Sequence, residues 1–202
     1  MLYTSPRLSS LTVSLGGVSK DELLRQLGDA GVQLNAYART LFADSRFTTS
    51  VAKSTVEVAQ VSVASLGFAD GATFSALIKG AQLAGLVPGP LELGPHLRLA
   101  LLQQHEGAIG HSPTQGRAPP GALTVASAPL DKEDETPKGF YLRRIEGTLW
   151  LRGYRSWAGH VCSPQDSFAF VVRSVAVSPN PSIERTAQSP LRGLWSAAHV
   201  ER

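Results

Sequence analysis

Two consecutive segments, PKGFYLRRIEG and TLWLRGYRSW, alternate arginine with aromatic residues. If both are strands joined by a two-residue turn at Glu146-Gly147, Ile145 pairs with Thr148, and side chains alternate between two faces. Arginine binds carboxylate or phosphate through two parallel hydrogen bonds, and aromatic rings stack on flat groups. The pattern therefore predicts recognition of an anionic or flat aromatic group. The residues of that face are Tyr141, Arg143, Trp150, Arg152 and Tyr154.

Three interpretations of this face stay open on the sequence alone. In the first, the face binds a ligand, and the neighbouring Arg155, Trp157 and His160 extend the face. In the second, it is a stacked surface whose cation–π pairs, worth ~0.5–1 kcal/mol each, only stabilise the hairpin. In the third, it lies beneath helices with its aromatic rings in the core. A shift of one residue in register would exchange the two faces.

The long Gly/Pro-rich loop at 103–120 carries a second set of polar side chains. His105, Glu106 and His111 could ligate a metal, but their spacing does not match the H-E-x-x-H pattern of a helical zinc site. We expect solvated polar residues there, no metal and no cofactor. Arg98, in the apolar segment before the loop, is a further secondary candidate.

Sequence motifs for catalysis are weak. No P-loop, no G-x-G-x-x-G after a strand and no G-x-S-x-G elbow occurs. His160 and Cys162 could form a nucleophilic pair, but the flanking Gly and Ser-Pro favour a buried or loop cysteine. No catalytic residue is therefore assigned.

Capping residues predict three helices. Ser19 with Glu22 forms a capping-box pattern, and Thr73 starts a helix that ends near Gly85. Asn35 caps another, which should bury three residues, Tyr37, Leu41 and Phe42.

Apolar segments outside these helices predict strands. Leu11–Leu15 is one, and 55–66 is another, with an irregularity at Ala59-Gln60 that indicates a bulge. Prolines in PGPLELGP should prevent a long helix, which leaves 96–102 as a strand or a helical turn.

Two stretches of the first half resemble each other, LTVSLGGVSKDELLRQLGDAGV and VSVASLGFADGATFSALIKGAQLAGL. Aligning Gly31 with Gly85 also superposes Leu23 on Leu77. The resemblance indicates an internal repeat, unless it reflects only two amphipathic helices of similar length.

The second half predicts an antiparallel meander of about four strands, at 123–126, 139–145, 148–155 and 168–177, with an acidic, solvated loop at 131–136. The fold class is then α+β, with short amphipathic helices of the N-terminal half packed against the meander. The expected organisation is a helical and stranded half at 1–102, the loop at 103–120 and the meander at 121–177. Together they make one domain at 8–177, followed by a disordered tail at 178–202.

Composition sets broad limits. The 202 residues are 43% hydrophobic and 17% charged, too apolar for a disordered chain. A net charge of +3 is too small to identify nucleic acid or membrane as a partner. No apolar run approaches the ~20 residues of a membrane span. With no signal-peptide pattern at the start and a single cysteine, we expect a cytoplasmic protein.

The tail SPNPSIERTAQSPLRGLWSAAHVER lacks regular periodicity and is proline-rich at its start. Over about 180–202 it resembles translated read-through into the recombination site of an integron gene cassette. This resemblance implies that the gene is a mobile cassette of a bacterial integron, and it implies no activity. The alternative is a genuine C-terminal arm.

The stretches LELGPHLRL, RAPPGALTVASAPL and PKGFYLRRIEGTLWLRGYRSW resemble a family of uncharacterised bacterial proteins of about this size. The resemblance covers most of 11–170. It implies a stable domain and carries over no catalytic residue.

Three functions follow as hypotheses. The first is a non-enzymatic binding module for an anionic or flat aromatic group, with single-stranded nucleic acid as a weakly supported ligand. The second is a small toxin-like or modifying enzyme, with its site between the 103–120 loop and the arginine face. The third is a protein–protein accessory or inhibitor.

Overall fold

The computed structural model describes residues 10–107 and 118–173. His111 and the 178–202 tail lie outside these ranges. The described residues form four α-helices, named α1 (Lys20–Asp29), α2 (Ala36–Ala43), α3 (Phe74–Leu83) and α4 (Leu93–Ala100). Their ten strands are β1 (Ser10–Leu15), β2 (Gln33–Leu34), β3 (Ser54–Ser62), β4 (Ala72–Thr73), β5 (Leu86–Val87), β6 (Leu123–Val125), β7 (Gly139–Ile145), β8 (Thr148–Tyr154), β9 (Val161–Cys162) and β10 (Ser167–Val172). The predicted α+β class is confirmed.

Eight of these strands form one mixed sheet in the order β1-β3-β10-β6-β7-β8-β2, with β5 also paired to β10. Strands β4 and β9 make a separate two-stranded sheet. The predicted antiparallel meander holds for β6, β7 and β8. The fourth strand differs, because β10 pairs parallel with β6 and antiparallel with β3. It therefore joins the two halves of the chain in one sheet.

Both faces of the sheet are covered, and each has its own core. Helices α1, α2 and α4 contribute to the core on one face, which includes Leu23, Leu41 and Leu97. Helix α3 contributes Leu77 and Ala81 to the core on the other face. On β7 and β8, the side chains that point to the same face of the sheet as the second core are the arginine and aromatic residues of the predicted site.

Strand β3 corrects two expectations. It ends at Ser62 and is followed by a short 3₁₀ helix at Ala64–Leu66, so the strand predicted over 55–66 is too long. Its register with both neighbours is continuous, so the predicted bulge is wrong. The alternation changes at Ala59 because Val58 packs into one core and Ala59 into the other.

Asn35 fixes α2 on β8. Its side-chain oxygen accepts hydrogen bonds from the amides of Ala38 and Gly153, at 3.0 and 2.8 Å, and its side-chain amide donates to the Gly153 carbonyl at 2.9 Å. The predicted cap is therefore confirmed. The prediction that Tyr37 is buried is wrong, because its side chain is 40% exposed. The Arg155 guanidinium lies over its ring, 5.8 Å from the ring centroid.

Helix α4 starts inside PGPLELGP, at Leu93, and has only eight residues. The prediction that no long helix forms there is therefore confirmed, and of the two alternatives for 96–102 the helical one is observed. Pro95 is the third residue of α4, and in the first turn a missing N–H removes no helical hydrogen bond. Gly94 lets the helix approach β7, since a Cβ there would lie 2.7 Å from a ring carbon of Phe140.

The proposed internal repeat stays a prediction. The two helices have equal length, and both are capped by a hydroxyl, Ser19 for α1 and Thr73 for α3. A short strand follows each. However, the two helices cover opposite faces of the sheet.

The contact between α2 and β8 yields a stability prediction. A Cβ at Gly153 would lie 2.6 Å from the backbone atoms Ala38 N and Tyr37 C. Gly153→Ala should therefore push α2 off the sheet and lower the free energy of unfolding by about 1–3 kcal/mol. Urea denaturation monitored by circular dichroism measures this.

The matched control is Gly28→Ala, in α1, where an added Cβ meets no atom within 4 Å. That variant should gain roughly 0.5–1 kcal/mol, because alanine loses less backbone entropy in a helix. Equal midpoints for Gly153→Ala and the wild type would contradict the described packing.

Candidate ligand-binding site

The hairpin of β7 and β8 has the predicted register. Ile145 pairs with Thr148, Arg143 with Trp150 and Tyr141 with Arg152. The turn has positive φ at both central residues, 48° at Glu146 and 76° at Gly147, as a type I′ turn requires. The apolar side is also as predicted, with Phe140, Leu142 and Leu151 fully buried.

The opposite side of the hairpin borders a cavity of about 720 Å³. That volume lies within the roughly 300–1,000 Å³ of small-molecule sites. Strands β6, β7, β8 and β10 contribute residues to it, together with the start of α3 and the segments at 129–138 and 155–166. We call it the arginine cavity.

The structure brings most of the predicted site residues together in this cavity. Tyr141, Arg143, Arg152, Tyr154 and His160 line it, and so do the neighbouring Arg155 and Trp157. Trp150 is not among the lining residues. Its ring instead contacts the Arg152 guanidinium, at 5.1 Å from the ring centroid, so it acts on the cavity by positioning that arginine.

Two of the cavity's arginines have no carboxylate partner within residues 10–107 and 118–173. The Nε atoms of Arg143 and Arg152 are buried and lack any acceptor there. By contrast, Arg155 pairs with Glu135 at 2.6 Å, and Lys138 lies 4.0 Å from Asp131. Arg143 and Arg152 are diagonal neighbours across the strand pair, with backbones about 7–8 Å apart. Both can therefore contact one anionic group.

Aromatic groups surround these charges. The Arg152 guanidinium also lies 6.0 Å from the Tyr141 ring centroid, and the Tyr141 and Tyr154 rings are 6.4 Å apart. Burial raises the pKa of both phenols above the ordinary value of tyrosine. At neutral pH both phenols are therefore protonated and able to donate hydrogen bonds.

Cys162 and His160 both line the cavity, but their environment does not suit nucleophilic catalysis. Cys162 is 6% exposed, and burial followed by the negative charge of Asp166 raises the pKa of its thiol to about 11. The thiolate is the nucleophile, so this thiol is almost wholly protonated at neutral pH. The His160 ring contacts the edge of Trp157, with centroids 5.0 Å apart.

Three secondary candidates, His105, Glu106 and Arg98, do not line the arginine cavity. His105 and Glu106 line a second cavity, of about 710 Å³, which shares Ala118, Pro119 and Asp166 with the arginine cavity. Glu106 also accepts a hydrogen bond from the Gly147 amide at 3.2 Å, which ties the loop to the hairpin turn.

Arg98 lines neither cavity. It is completely buried, and its guanidinium donates to the Gln104 side-chain oxygen and to the Leu101 carbonyl. Burial, followed by the charge of Arg144, lowers its pKa to about 10. Arg98 therefore holds the end of α4 against the following loop.

Several lining residues were missed by the sequence analysis. Thr124 lies in β6 and Ser127 just after it, Phe168 lies in β10, and Phe74 starts α3. Each belongs to a segment distant in sequence from the hairpin, so no local pattern could have identified them.

Within residues 10–107 and 118–173, no group of three or more His, Cys, Asp or Glu side chains is placed to hold a metal ion. In the same ranges, the helices are all too short or too polar to span a bilayer. No family model, curated protein or solved structure matches the chain.

The environment of Cys162 predicts its reactivity. Cys162 is the single cysteine of the sequence, so alkylation by iodoacetamide reports on it alone. At pH 8 the folded protein should react about 100-fold more slowly than the urea-unfolded chain, because little thiolate is present. Mass spectrometry of timed samples gives the rate.

The pH dependence provides the internal control. The rate of the folded protein should rise about tenfold per pH unit from pH 8 to 10, while that of the unfolded chain should level off above about pH 9. Similar rates and similar profiles for both states would show that the thiol is accessible and ordinary.

Proposed function

We propose that this protein is a binding module that takes up a small organic anion with a flat aromatic part in the arginine cavity. The observation that carries the proposal is the pair Arg143 and Arg152, which lack carboxylate partners in the described ranges and line a cavity of ligand size. Charged groups this close to the interior are normally paired. A carboxylate or phosphate between them would supply the missing acceptors.

The aromatic lining supports the second half of the proposal. Tyr141, Tyr154 and Phe168 offer ring surfaces beside the two guanidinium groups. A flat aromatic ligand could stack on these rings while its anionic end contacts the arginines. Three acidic side chains, Asp131, Asp134 and Asp166, also line the cavity. The lining is therefore of mixed charge, unlike the uniformly basic groove that follows a single-stranded nucleic acid backbone.

Binding is favoured over the enzyme and protein-partner alternatives. The only thiol of the chain is held protonated, and the loop residues His105 and Glu106 line the neighbouring cavity rather than this one. A concave, partly apolar surface suits a small molecule better than a flat protein interface. We further propose that the protein is cytoplasmic and encoded by an integron cassette.

Isothermal titration of the full chain with cinnamate and with phenyl phosphate tests the proposal. At least one should bind, and the preferred probe identifies the anionic group as carboxylate or phosphate. Arg143→Gln and Arg152→Gln should each weaken binding about tenfold or more, because a charge-assisted hydrogen bond is lost.

The matched control is Arg39→Gln, which removes the same charge at an exposed position of α2. It should bind as the wild type does. The proposal fails if no probe binds the wild type, or if the cavity variants fold normally and bind as tightly as the control.

A further inference from the structure

A buried hydroxyl in the arginine cavity lacks a partner. Ser127 follows β6 and is 2% exposed, and its Oγ has no hydrogen-bond partner in the described part of the chain. The residue lines the cavity, and its backbone is held in a parallel bridge to Gly89. An unpaired buried hydroxyl is destabilising and rare in folded proteins, so its presence at a cavity calls for an explanation.

A second hydroxyl lies at the same place. Tyr154, which also lines the cavity, is paired across the hairpin with Gly139. The point where a Cβ of Gly139 would stand is 3.1 Å from Ser127 Oγ and 3.4 Å from Tyr154 Oη. The two oxygens therefore border one small space, which the absence of a side chain at Gly139 leaves free. Because the phenol is protonated, Tyr154 can donate there.

One hydroxyl of this pair and one of the arginines lie on the same strand. Tyr154 and Arg152 are two residues apart on β8, so they point to the same face about 7 Å apart. The Tyr141 ring lies beside both of them, 6.4 Å from the Tyr154 ring and 6.0 Å from the guanidinium. Along the hairpin, Tyr154 lies opposite Gly139, Tyr141 lies opposite Arg152, and Arg143 comes next. The hydroxyl pair is therefore at one end of this row and Arg143 at the other, with Tyr141 and Arg152 between them.

We infer that the cavity selects an aromatic acid carrying a hydroxyl group at the end opposite its anionic group, with Ser127 and Tyr154 binding that hydroxyl. The inference rests on the proposed function and narrows it to one class of ligand. Both protein groups can donate and accept, as a ligand hydroxyl can, so each is satisfied by the same group. A ligand without the hydroxyl would leave Ser127 unpartnered.

Two probes that differ only in this hydroxyl test the inference. The wild-type full chain should bind 4-hydroxycinnamate about tenfold more tightly than cinnamate, measured by isothermal titration. Ser127→Ala and Tyr154→Phe should each remove most of this preference, because each deletes one of the two hydroxyl groups and the tyrosine variant keeps its ring. Ser14→Ala, at an exposed position of β1, should retain it.

Thermal unfolding without ligand distinguishes this role from a structural one. Ser127→Ala removes an unpartnered buried hydroxyl, so its Tm should rise by about 2–4 °C. A structural hydrogen bond at Ser127 would instead lower the Tm, and that result would overturn the inference.

The outcomes separate the two proposals. If both probes bind the wild type equally and Arg152→Gln weakens both, the hydroxyl inference is wrong and the proposed function stands. If neither cinnamate, 4-hydroxycinnamate nor phenyl phosphate binds, the proposed function fails and the inference fails with it. A preference for the hydroxylated probe that survives in both hydroxyl variants would also contradict the inference.

Discussion

The register of the β7–β8 hairpin is the constraint on which the rest of the site depends. Its apolar side places Phe140, Leu142 and Leu151 in the core with no exposed surface. A shift of one residue would bring these side chains into the cavity and both arginines into the core. Each buried leucine or phenylalanine contributes about 1.5–3 kcal/mol, and an unpaired buried charge costs several more. The cores and the two-residue turn therefore hold the arginines where they are.

The sequence predicts those parts of the fold that local chemistry decides. The turn at Glu146-Gly147 and its pairing follow from loop length and positive φ. The hydroxyl and amide caps Ser19, Asn35 and Thr73 each start a helix. These features involve neighbours within a few residues. For the candidate site, that was enough to identify the strand positions that face the cavity, including Arg143 and Arg152.

The features that the sequence did not predict depend on contacts between residues far apart in the chain. Strand β3 looks irregular because it is buried on both faces, which depends on α3 lying opposite the other helices. The loop at 131–136 is exposed over 132–135, as predicted, but its first residue has a long-range contact that no local pattern shows. Asp131 accepts a hydrogen bond from Arg46, 85 residues away, at 2.8 Å, and another from Thr136 at 3.0 Å. Ser127 carried no sequence signal, since a serine after a strand is ordinary.

The position of β10 has a consequence for how the chain folds. This strand, Ser167–Val172, lies between β3 and β6 and is the last strand of the described chain. Its pairing with β3 joins residues more than 100 positions apart, as Ser167 and Ser62 do. Such high contact order slows folding. During synthesis one edge of β3 stays unpaired until β10 has left the ribosome. The sheet and the cavity are therefore completed only after residues 167–172 have emerged.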